Sequence, residues 1–125
     1  MSLDLQRIDW MPSPPLVPDD GPISLDQLRR MTLGDADLER EVLAMFSTQA
    51  GRLLDRLAPL PDDAATLAHT LKGSARAIGA DGVADAAEAF EDAIRSGGDC
   101  AYALANLAEA IAEARAAIAE MLSAS

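Results

Sequence analysis

Seven prolines occur in the 125 residues, and where they fall limits what the chain can fold into. Five lie in the stretch "PSPPLVPDDGP" at residues 12–22, two are Pro59 and Pro61, and none follows. Proline removes a backbone donor and clashes with the preceding turn, so residues 12–22 cannot form regular helix and read as an extended, partly polyproline linker. Residues 1–11 carry Leu3, Leu5, Ile8 and Trp10, enough for a short amphipathic turn that either docks on the rest of the chain or remains a tail. The chain therefore divides into an N-terminal tail and linker, 1–22, and one domain, 23–125. Inside that domain only Pro59 and Pro61 interrupt, leaving two long proline-free stretches.

Those stretches have helical periodicity. "SLDQLRRMT" opens with Ser24 as N-cap and gives a short helix presenting Leu25, Leu28 and Met31. Gly34 suits a left-handed C-terminal position and Asp35 the next N-cap. A second helix, about 36–58, places Leu38, Val42, Phe46, Gln49, Leu53 and Leu57 at spacings of three and four. Asp62 or Asp63 caps a third, which Gly79 stops after Ile78. Asp81 caps a fourth, about 82–96, with the stripe Val83, Ala86, Ala87, Phe90 and Ile94. "SGGD" at 96–99 is a turn, and a last helix, about 100–122, carries Leu104, Leu107, Ile111, Ala114, Ile118 and Leu122. Four long amphipathic helices on connections of about two to five residues predict an all-α fold: an antiparallel up-down-up-down four-helix bundle with a short additional N-terminal helix.

Composition agrees and removes several function classes. Twenty-six alanines and only four aromatic residues favour closely packed helices over strands. A formal charge of −11 argues against nucleic acid, which is bound by clustered Lys and Arg, and against an anionic membrane surface. Cys100 is the single cysteine, and no Cys/His cluster has metal-ligand spacing. With no secretory leader and no 18-residue apolar run, a soluble cytoplasmic monomer is expected.

Residues 68–80, "AHTLKGSARAIGA", hold the only histidine and the only lysine of the chain, three positions apart, with a glycine directly after the lysine. At about 100° per residue, Leu67, Leu71, Ser74 and Ile78 form the expected buried stripe of the third helix. His69 lies nearly opposite, flanked by Lys72, Gly73 and Arg76, with Ala65 and Thr66 a turn behind. Gly73 sits mid-helix, where alanine is better by ~1 kcal/mol. At a solvent-facing position that loss suggests room for something approaching the backbone beside His69. Imidazole is a covalent nucleophile near neutral pH, and a phosphoryl group on its nitrogen is anionic. Lys72 and Arg76, at i+3 and i+7, form a small cationic patch that suits such a group. Arg76 reads equally well as a solvated charge. The chain has no glycine-rich phosphate loop and no recognisable ATP site.

The run "AHTLKGSARAIGADGVADAAEAFEDAI" resembles the signature of histidine-containing phosphotransfer (HPt) domains, the phosphocarriers of two-component phosphorelays. The matching positions are His69, Leu71, Lys72, Gly73, Ser74, Ile78, Gly79, Ala80 and the pair Phe90-Glu91. Weaker similarity spans about 23–122. The resemblance implies that His69 accepts a phosphoryl group, normally on Nε2, from a receiver-domain aspartyl phosphate and passes it to another receiver. It implies further that Lys72 steadies the phosphoryl oxygens and that Gly73 gives the receiver room; Arg76, which is outside the core motif, and Thr66 and Ala65 are candidate partner contacts from their places on the helix. The protein would then be no kinase and need no cofactor of its own, the receiver supplying Mg²⁺. Ser74 is assigned to helix packing, and Phe46 to a position beneath the site.

Two other readings compete. The dimerisation and phosphoacceptor domain of a histidine kinase also displays a histidine on a helix, but there an acidic residue normally follows the histidine and a proline comes soon after. Here Thr70 follows, and no proline occurs beyond Pro61. A helical adaptor without phosphate chemistry would leave His69 incidental.

Overall fold

In the computed structural model, residues 21–124 are described; the expected tail, 1–11, and all but the last two residues of the expected linker lie outside them. Five helices follow in order: α1 (Leu25–Thr32), α2 (Ala36–Leu57), α3 (Ala64–Ile78), α4 (Asp81–Ser96) and α5 (Cys100–Ser123). Each long helix packs against its neighbours in sequence, and α2 closes the ring on α5, the order of an up-down-up-down bundle. The short α1 lies across α2 and α3.

Local chemistry sets the helix ends. Ser24 Oγ accepts from the Gln27 amide, Asp35 Oδ1 from Leu38 at 3.1 Å, and Asp99 Oδ1 from Tyr102 at 2.9 Å, each satisfying one orphan donor. Asp63 precedes α3 without a side-chain cap bond. Asp81 differs from expectation: the connection from α3 is only Gly79-Ala80, so Asp81 is already the first helical residue. There its charge meets the positive end of the helix dipole. The left-handed residue closing α1 is Leu33 as well as Gly34, and the connection from α2 to α3, residues 58–63, is longer than expected.

The core is aliphatic, built around Leu28, Leu43, Leu57, Leu71, Leu107, Ile111, Ile118 and Phe90. Several expected stripes are rotated. In α1 only Leu28 of the three is buried, and Thr32 joins it, its Oγ1 donating to Leu28 O at 2.9 Å. In α2 the buried line runs through Leu43 and Ala50, with Leu38 exposed and Val42 and Gln49 half-buried. Ala86, Ile94, Leu104 and Leu122 are likewise half-buried, while Ala84 and Ala103 lie inside. On α3, Ser74 is half-buried and Ala68 and Ala75 take the interior. The cause is the partner: α3 makes its most extensive contact with α4, so its buried face turns that way. Ala68 and Ala75 meet a helix whose own interior includes Ala84 and Ala87, and small side chains let the two axes approach closely.

Gly79 joins these parts. It has φ +86°, its carbonyl accepts from the Ser24 amide at 2.7 Å, and a Cβ there would come within 2.5 Å of the Ser24 carbonyl oxygen. Gly73 is the opposite case, with open space where a Cβ would go. Gly79→Ala is expected to destabilise by about 2–3 kcal/mol, from left-handed strain plus displacement of α1. Gly73→Ala is expected to be neutral or to stabilise by up to ~1 kcal/mol. Chemical denaturation of the two variants checks both signs.

Candidate functional site

The close α3–α4 contact brings a carboxylate under the histidine. Glu91 of α4 is 1% exposed and lies between three nitrogens. Its Oε2 is 3.3 Å from His69 Nδ1 and also accepts from Arg95 Nη2, one turn on in the same helix. Its Oε1 pairs with Lys72 Nζ at 3.0 Å. Burial alone would raise the pKa of this carboxyl, but the close ammonium of Lys72 and the charge of Arg95 outweigh it and hold Glu91 below the ordinary glutamate range. Glu91 is therefore ionised at neutral pH and can only accept hydrogen bonds.

That fixes the imidazole. With an obligate acceptor facing Nδ1, the favoured tautomer carries its proton on Nδ1 and leaves the lone pair on Nε2. The His69 side chain is 67% exposed. The geometry thus presents one nucleophilic nitrogen outward while the other is held from below.

The expected site residues do not all take the expected places. Lys72 is beside His69, but its side chain is only 15% exposed and its ammonium is committed to Glu91. Gly73 is exposed and unobstructed. Arg76 pairs with Glu88 of α4 at 3.0 Å, partly exposed. Thr66 is exposed and Ala65 half-buried. Phe46 is buried in α2 and lines, with Thr70 and Ser74, the groove on the other side of α3 from Glu91. Among the described residues no group of three His, Cys, Asp or Glu side chains could hold a metal.

The sequence reading gave no role to Glu91 or Arg95. Glu91 stood in the motif only as the second half of Phe90-Glu91. The signal was there: Glu91 is four residues after Ala87 and eight after Val83, so it occupies a core-facing position, with Arg95 at i+4. A carboxylate on a buried stripe calls for cationic partners.

Because the folded-state pKa of Glu91 is depressed, its stabilising contribution is present above the ordinary glutamate range and lost as pH falls through the lower folded value. Glu91→Gln is expected to cost about 3 kcal/mol at neutral pH, the lower end for one member of a buried ion pair because Arg95 stays solvated. The loss of stability on acidification should also be shallower in the variant than in the parent. Denaturation curves across the acidic range test this, and parallel slopes would remove Glu91 from the titrating set.

Comparison with known proteins agrees with this geometry. A family model described as the Hpt domain matches residues 41–123. Among solved structures, the crystal structure of the histidine phosphotransferase ShpA from Caulobacter crescentus is similar, with a TM-score of 0.65 and 28% identity over 81% of this chain and 90% of that one. Among curated proteins, none matches the chain. With the matched region containing the whole of α3, α4 and their buried carboxylate, the chain belongs to the Hpt domain family.

Proposed function

We propose that His69 accepts a phosphoryl group from the aspartyl phosphate of one receiver domain and delivers it to the aspartate of another. In the first step Nε2 attacks phosphorus, an N–P bond forms, the acyl O–P bond breaks and the aspartyl carboxylate leaves. The proton on Nδ1 stays in place, so the ring becomes a phosphorylated imidazolium whose charge develops directly against Glu91. A fixed anion at that position stabilises the charge without taking the proton. The second step is the reverse, with a different carboxylate attacking.

The observation carrying this reading is the exposed imidazole whose inner nitrogen faces a buried, ionised carboxylate. Supporting it, Gly73 leaves the backbone beside His69 open to an incoming domain. The metal that neutralises the aspartyl phosphate belongs to the receiver on this reading, and this chain supplies the nucleophile, its orientation and the local charge. Lys72 serves by holding Glu91 in place, and its partial exposure leaves it able to turn one N–H towards the phosphoryl oxygens. No described helix is long and apolar enough to cross a membrane.

Incubation with a phosphorylated receiver should place acid-labile, alkali-stable label on the protein, and His69→Gln should abolish it with the melting temperature nearly unchanged. A large loss of stability in that variant would make the residue structural. Lys72→Ala should slow transfer or shorten retention of the group, and unaltered kinetics would exclude it from the site. Gly73→Ala, which the bundle tolerates, should impair receiver docking as read by transfer rate at limiting receiver. Undiminished docking would show that the open space has another cause.

A further inference from the structure

A groove of about 950 Å³ runs between α2 and α3 on the side of α3 away from Glu91. Val42, Met45, Phe46 and Leu53 form one wall, Thr70, Ser74 and Ile78 the other, and Met31 of α1 closes one end. Met45 is 64% exposed, and Met31 is exposed too, so flexible apolar side chains face water along it. Side chains of this kind can repack around an apolar segment laid along the groove.

The chain itself offers an occupant. The Ser24 amide donates to Gly79 O, and Gln27 Nε2 donates to Ala77 O at 3.4 Å. These bonds pin the start of the described chain to the C-terminal end of α3, the same end as Met31 and Ile78. Twenty residues precede that point, outside the described part. Their sequence places Leu3, Leu5, Ile8 and Trp10 within "LDLQRIDW", with Asp4, Arg7 and Asp9 between them, a net charge of −1. Arg52 and Arg56 line the groove at its far end along α2; Arg56 already pairs with Asp63 at 3.7 Å, so Arg52 carries the opposite charge there. Reach is sufficient: residues 11–20 at ~3.1 Å each span about 30 Å, against about 17 Å of α3 from Leu67 to Ile78 at 1.5 Å per residue. A tether of that length holds the segment near millimolar effective concentration, so a weak contact suffices.

We propose that residues 3–10 of this chain dock in the α2–α3 groove, their apolar side chains against Met31, Met45 and Phe46. Thr70, the residue after His69, lies in the groove wall, so the groove runs beside the histidine on α3.

Trp10 is the only tryptophan in the chain and reports the contact directly. In the intact protein its emission should be blue-shifted relative to a free tryptophan amide, and its quenching by acrylamide several-fold weaker. Met45→Glu in the groove and Ile8→Asp in the segment should each shift the emission red and restore free quenching. Ile8 lies outside the described bundle, so its variant stands even if Met45→Glu disturbs folding. His69→Gln should leave the signal unchanged, which separates this test from that of phosphoryl transfer. Solvent-like emission in the parent protein overturns the proposal. So does a shielded tryptophan indifferent to both substitutions, or shielding that grows with protein concentration and so comes from a second copy.

Discussion

A single buried carboxylate organises the functional end of this bundle. Glu91 is nearly inaccessible, yet three cationic or proton-donating groups converge on its two oxygens from α3 and from its own helix. An unpaired charge at that depth would cost several kcal/mol, so the site is coherent only while its partners stay in place. The carboxylate in turn decides which imidazole nitrogen carries the proton. Fold stability and imidazole orientation therefore depend on the same few contacts.

The bundle makes that arrangement possible through the most ordinary residue in the chain. Ala68 and Ala75 on α3 and Ala84 and Ala87 on α4 are all buried, and they bring the two axes close enough for a glutamate on one helix to reach the histidine and lysine of the other. The two-residue turn Gly79-Ala80 adds to this, and α1 is bound to it through the Ser24–Gly79 hydrogen bond. Larger side chains at those positions would separate the helices and leave the carboxylate without its partners. As a member of the Hpt family the protein is a phosphorelay phosphocarrier, and this layout gives its histidine a fixed orientation and a fixed charge beneath it.

Much of this was legible in the sequence, and the failures have physical causes. Helix number, order and most ends followed from proline placement, Asx and Ser caps, and glycine stops, because these act locally. The outward direction of His69 followed from its angle to Leu67 and Leu71. Rotations of the buried stripes did not, since stripes drawn through large residues overlook alanine, and alanine lines the tightest interface. Lys72 was placed on the right face but with its charge free, because angle on one helix says nothing of what the neighbouring helix brings. Glu91 itself was visible as a charge on a core-facing position and was left without a role.

Lys72 is the only lysine in the chain, and it is the one folded against Glu91. Acylating or reductively alkylating reagents directed at side-chain amines therefore have a single target here, shielded for as long as the carboxylate keeps hold of it. The extent of its modification becomes a built-in gauge of how often that grip relaxes, readable at one residue without introducing any probe.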